Sequence, residues 1–101
     1  QMGPVRLRRQ EVTFAEGVKA VEKMKFVNLS GKPLTLSCEE AFLPECLSFR
    51  TDPVTVPAGE EGQIVISYDP SASGSRETMK VILKGLGLPP SKATITVTLT
   101  R

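Results

Sequence analysis

The chain contains no histidine and no tryptophan, and its aromatic complement is four phenylalanines and one tyrosine. Without histidine there is no Ser-His-Asp or Cys-His nucleophile system, and no imidazole acid or base near neutral pH. The usual zinc and iron ligand sets are missing as well. So few aromatics argue against a stacking platform for sugars. Charge is also modest: 24% of residues are charged, the formal balance is +2, and no dense basic stripe of the kind that drives nucleic-acid binding is present. Nucleic acid is therefore not an expected partner. No run of roughly 18 apolar residues exists, so no membrane-spanning helix is expected, and no charged-then-apolar leader is visible. Gln1-Met2-Gly3 looks like a boundary, upstream of which a leader, a lipid anchor or further domains could have been cut away.

The two cysteines, Cys38 and Cys46, flank Glu39-Glu40-Ala41-Phe42-Leu43-Pro44-Glu45. The spacing fits a small disulfide loop in an oxidising compartment or two reduced thiols in a cytoplasm. Two sulfurs alone fall short of a structural zinc site. The carboxylate pairs Glu39-Glu40 and Glu60-Glu61 point to opposite faces of an extended chain and read as solvated loop charges, not as a glycosidase pair. Gly85-Leu86-Gly87-Leu88-Pro89 begins like a dinucleotide fingerprint. It lacks the third glycine, and Pro89-Pro90 forbids the helix that would hold a phosphate. Asp52 and Asp69 each precede proline and mark turns. No catalytic residue, cofactor site or metal site emerges from these patterns, so an enzyme is not expected.

The chain does carry a repeated two-residue apolar period. Gln63-Ile64-Val65-Ile66-Ser67-Tyr68 is the clearest central strand, opened by the turn-rich Pro57 to Gly62 and closed by Asp69-Pro70. Ile64, Ile66 and Tyr68 share its apolar face. Tyr68 is expected in the core or at a corner where its hydroxyl meets backbone. Val5 to Phe14 reads as an extended N-terminal segment in which Arg6, Arg8 and Arg9 are either solvent-facing edge charges or a partner-contact patch. Val18 to Leu29 is ambiguous between helix and strand, with strand expected over Lys23 to Asn28. That strand and Leu34 to Cys38 read as a hairpin joined by Asn28-Leu29-Ser30-Gly31-Lys32-Pro33. Asn28-Leu29-Ser30 matches a glycosylation acceptor, but an asparagine that starts a tight turn needs no sugar to justify it, and the turn role is the reading taken.

Further strands are expected at Leu47 to Arg50, Val54 to Val56 and Thr78 to Lys84. At the last of these Met79, Val81 and Leu83 face inward. Ala93 to Thr100 is the most regular strand, with Ala93, Ile95, Val97 and Leu99 toward the core and its threonines toward water. About seven short strands at intervals near 8 to 12 residues, and no competing helix, predict an all-β fold: an immunoglobulin-like antiparallel β-sandwich. With no linker or repeat, residues 1–101 form a single domain, long enough to bury about two thirds of the surface its unfolded chain exposes.

Phe26-Val27-Asn28-Leu29-Ser30-Gly31-Lys32-Pro33-Leu34-Thr35-Leu36, the cysteine-bearing stretch, and Val56 through Tyr68-Asp69-Pro70 together resemble the bacterial domain-of-unknown-function family 1573. That family is similar to the hydin-like and major-sperm-protein-like immunoglobulin sandwiches, and the likeness covers the chain from about Val12 onward. The family usually spaces two cysteines by one residue just after this hairpin, whereas here Cys38 and Cys46 stand eight apart. The resemblance implies a Cys38–Cys46 bridge and a piece of a longer exported protein of Bacteroidetes-type bacteria, in the periplasm or at the cell surface. The function it suggests is a non-catalytic interaction or architectural module of the cell envelope, docking protein partners or neighbouring domains through a sheet edge or end loops. The alternative is an adhesive domain that binds glycan or peptide through the Cys38–Cys46 and Gly85–Ser91 loops, with Phe42 and Leu43 as anchors.

Overall fold

The computed structural model describes residues 3–7, 9–84, 86 and 92–100. Eight strands are arranged in chain order: β1 (Val5–Leu7), β2 (Glu11–Ala15), β3 (Ala20–Asn28), β4 (Ser37–Cys38), β5 (Leu47–Asp52), β6 (Glu61–Tyr68), β7 (Thr78–Lys84) and β8 (Thr94–Thr100). A 3₁₀ turn, Glu40–Phe42, lies between β4 and β5. No helix among the described residues is long and apolar enough to cross a membrane.

The strands form two sheets of four, in the orders β1-β3-β6-β5 and β2-β8-β7-β4. Lettered along the chain with β1 and β2 as a split first strand, these are the ABED and CFG sheets of the immunoglobulin sandwich, with the second half of the first strand added to CFG. The periodicity therefore led to the fold that is observed. One pairing is not antiparallel: β2 runs parallel to β8, with Val12 opposite Val97 and Phe14 opposite Leu99. The chain leaves the first sheet after β1 and joins the second without reversing. A parallel pair needs a long connection, and here the rest of the domain supplies it.

The core lies between the inner faces. Ile64, Ile66 and Tyr68 of β6 are buried as their spacing predicts, as are Met79, Val81 and Leu83 of β7, and Ala93 together with Ile95, Val97 and Leu99 of β8. Val65 points to the outer face yet is only 2% exposed. Its cross-strand neighbours are Lys23 on β3 and Arg50 on β5, the two residue types whose alkyl stems cover apolar surface while their charges stay in water. The threonines of β8 are half-buried, except for exposed Thr100, because β8 has neighbours on both sides.

One local expectation is borne out and extended, and another is corrected. The ambiguous stretch is strand from Ala20 onward, since pairing with β1 and β6 decides what helical spacing left open. The expected hairpin of β3 with Leu34 to Cys38 does not form. β4 pairs with β7 in the opposite sheet, and Leu34 bridges Val56; Val54 to Val56 contributes only that bridge and no strand.

The cause of this crossing is Asn28, which is completely buried. Its amide nitrogen donates to the carbonyls of Lys32 (2.7 Å), Val56 (3.0 Å) and Pro57 (3.2 Å), and its Oδ1 accepts from Ser30 N–H (2.9 Å) and Ser30 Oγ (2.6 Å). The segment after β3 is thereby folded over the end of the sandwich. The side chain at this acceptor-like sequence is engaged on every polar atom, which supports the turn role.

Candidate interaction edge

Ladder parity shows which backbone groups the strands leave open. Leu83 N–H donates to Ala93 C=O (2.7 Å) and Leu99 N–H to Glu77 C=O (2.8 Å). With the antiparallel register of β7 and β8, the odd-numbered residues of β7 hydrogen-bond to β8, and the N–H and C=O of the even-numbered ones point away. Glu39 N–H takes the Ile82 carbonyl (2.8 Å), but β4 ends at Cys38. Among the described residues, no strand lies beside Thr78 and Lys80 on that side.

The chain rises off β7 into the 3₁₀ turn and leaves a groove of about 470 Å³. Ala41, Phe42, Leu43 and Pro44 wall one side, and Thr78, Met79, Lys80 and Ile82 the other. The lower end is shaped by Gly74, where φ is +90° and a Cβ would stand 3.2 Å from Pro44 Cβ. Cys46 N–H donates to Ser73 C=O (3.0 Å), and Ser73 Oγ donates to Glu45 Oε2 (2.6 Å), so the two loops are tied together beneath the groove.

The residues singled out from sequence fall in different places. Phe42 is 66% exposed at the groove rim, whereas Leu43 is half-buried and packs on the core. Arg6 is exposed on β1, opposite Val27. Arg9 is ion-paired and hydrogen-bonded to Glu22, so it is not a free contact; Arg8 lies outside the described residues. β1 edges the first sheet on the side away from β5, and Arg6 therefore does not join Phe42 in one patch. Of the Gly85–Ser91 loop only Leu86 is described, and it is buried.

Cys38 and Cys46 are both buried free thiols; the bridge that the resemblance implied is not formed. Cys38 sits on β4 in the second sheet, while Cys46 precedes β5 in the first and directs its thiol to Met79 Sδ (3.6 Å). Burial pushes the Cys38 thiol above its ordinary range, reinforced by the charge of Glu40 and partly offset by Lys84. Burial likewise raises Cys46 against the opposing pull of its own backbone hydrogen bond. Neutral, buried thiols are poor nucleophiles.

Tyr68 occupies the corner expected of it. It is buried, its ring stacks on Phe14 at 5.6 Å, and its hydroxyl accepts from Gly17 N–H at 3.4 Å. Asp69 folds back on Ser71, accepting from its Oγ (2.6 Å) and N–H (3.0 Å). These bonds hold its carboxyl below the usual range, the hydroxyl contributing most.

Sequence reasoning missed Thr78, Lys80 and Arg76. Nothing in their residue types marks them, because the open groups are backbone and their availability depends on where β4 stops. No protein-family model matches the chain, and no curated protein matches it significantly.

Proposed function

We propose that this domain is a non-catalytic interaction module that docks a protein partner, or a neighbouring domain of the same chain, through an open sheet edge. The observation that carries this reading is the unpaired stretch of β7 at Thr78 and Lys80, beside a groove with an exposed phenylalanine on its rim. An edge offers main-chain donors and acceptors at the fixed spacing of a strand, and an incoming extended segment satisfies them by extending the sheet. Both thiols are buried, Asp69 caps its own turn, and Tyr68 is tied to Gly17. The resemblance adds the setting, an exported architectural protein of the bacterial envelope.

Random-peptide display against the folded domain, followed by mapping of backbone amide shifts, tests this. The expected outcome is a set of binders whose contacts fall on a strand edge or on the end loops. A selection that returns no binder at high protein concentration, or binders that contact only the broad sheet faces, overturns it.

A further inference from the structure

Three other edges leave backbone groups free by the same parity. β1 is only three residues long. On β2, Glu11 and Thr13 point away from β8, and on β5, Phe49 and Thr51 point away from β6. The groove beside β5 is about 230 Å³, half the size of that at β7, and mixes Glu40 with Arg50 and Lys84. The β7 groove is lined by two cations, Arg76 and Lys80, and by no acid. Neither cation is in an ion pair among the described residues, and the cross-strand neighbour of Lys80 on β8 is the neutral Thr96. Glu39, Glu40 and Glu77 lie nearby in sequence but do not line this groove.

These features decide against a second copy of the chain as the occupant. Antiparallel pairing of β7 with its own copy across Thr78 and Lys80 sets the two Lys80 ammoniums opposite or diagonal to each other, an arrangement of like charges that destabilises cross-strand pairs. They favour a strand of the opposite charge. Side chains of an added strand alternate between faces. One set would stand on the outer face beside Thr78 and Lys80, within reach of Arg76, and the other would turn toward Met79 and Leu43 under the rim formed by Phe42.

Resting on the interaction-module reading, we infer that the β7 edge takes an extended segment of a partner protein that alternates acidic and apolar residues, held as a fifth strand of the second sheet beside Thr78 and Lys80. The backbone supplies the affinity and the two cations select the charge.

The test is a titration of the isotope-labelled domain with two capped heptapeptides, one alternating valine and aspartate, the other valine and lysine. The aspartate peptide is expected to bind about tenfold more tightly, from opposite in place of like charges at two exposed positions. It should slow hydrogen exchange at the Thr78 and Lys80 amides, and N-methylation of its alternate amides should abolish binding. Lys80→Glu, an exposed change that leaves the core intact, should cancel the preference, because Arg76 remains, and the double change Arg76→Glu with Lys80→Glu should reverse it. Equal affinity of the parent domain for the two peptides, or protection appearing at Phe49 and Thr51 or at Glu11 and Thr13 instead, overturns this assignment while leaving an interaction module in place. Failure of both peptides at millimolar concentration, when display selection also returns no binder, overturns both readings together.

Discussion

Replacing Asn28 tests the physical core of the fold most directly. Asn28→Ala removes an acceptor for Ser30 and two amide hydrogens shared among three carbonyls. The losses are not all of one kind. Val56 C=O keeps Leu34 N–H (2.9 Å) and Pro57 C=O keeps Glu60 N–H (3.1 Å), while Lys32 C=O, 2.9 Å from Ser30 Oγ, can take the hydroxyl hydrogen that Asn28 Oδ1 no longer accepts. The N–H of half-buried Ser30 can turn to water. The cost is then mainly the hydrogen bonds themselves, each about 1 kcal/mol net, reduced by release of the penalty for burying an amide. About 2–4 kcal/mol is expected, a large part of the 5–15 kcal/mol or so that stabilises a domain of this length, and it should lower Tm by roughly 10–25 °C. Asn28→Asp is expected to be worse at neutral pH, because a carboxylate would face three carbonyl oxygens with no donor to offer them. Its folded-state pKa must rise above the unfolded value of about 3.9. The stability of that variant is therefore retained below about pH 4 and falls as pH rises toward 7. Urea denaturation followed by far-UV circular dichroism at pH 4 and pH 7 measures both effects. An Asn28→Ala variant within about 0.5 kcal/mol of the parent, or an Asp variant indifferent to pH, would refute the assignment of this side chain as the organiser of the loops.

Gly62 lies on the inner face of β6, where an added Cβ would stand 2.6 Å from Val56 Cγ2 and 3.0 Å from Phe26 Cζ. Gly62→Ala should destabilise by about 1–3 kcal/mol through overpacking, and pairing it with Val56→Ala should recover part of that loss in a double-mutant cycle; an unchanged denaturation midpoint for the single variant contradicts the packing. Cys38 and Cys46 should resist iodoacetamide in the folded protein and react at both positions on unfolding without any reductant, whereas labelling that requires reductant would show a bridge. Because burial raises both thiol pKa values above 9.0, the unfolded chain loses these protons first. The stability they contribute is present below pH 9 and is lost as pH rises beyond it, which a denaturation series from pH 7 to pH 10.5 on the parent and on the Cys46→Ala variant would register as a shallower decline in the variant.

The alternation of residues was enough to place the inner faces of β6, β7 and β8, because a strand's side-chain period is a local property and core burial enforces it. Asp69 and Tyr68 were legible for a related reason: a turn before proline and a buried phenol each restrict their own surroundings. Pairing was less accessible. Leu34 to Cys38 has the pattern of a strand, but whether it folds back on β3 or crosses to β7 depends on Asn28 reaching carbonyls 28 and 29 residues away. The parallel seat of β2 beside β8 depends likewise on the two ends of the chain meeting.

What residue order determined by itself was an all-β, two-layer character with defined inward positions, together with the absence of any imidazole. What only the tertiary structure decided was which strands are neighbours and therefore which backbone groups remain unpaired. Every strand residue carries the same N–H and C=O, so an open edge has no signature in the side chains. It exists at Thr78 and Lys80 because β4 stops after two residues and Phe42 is lifted away from β7.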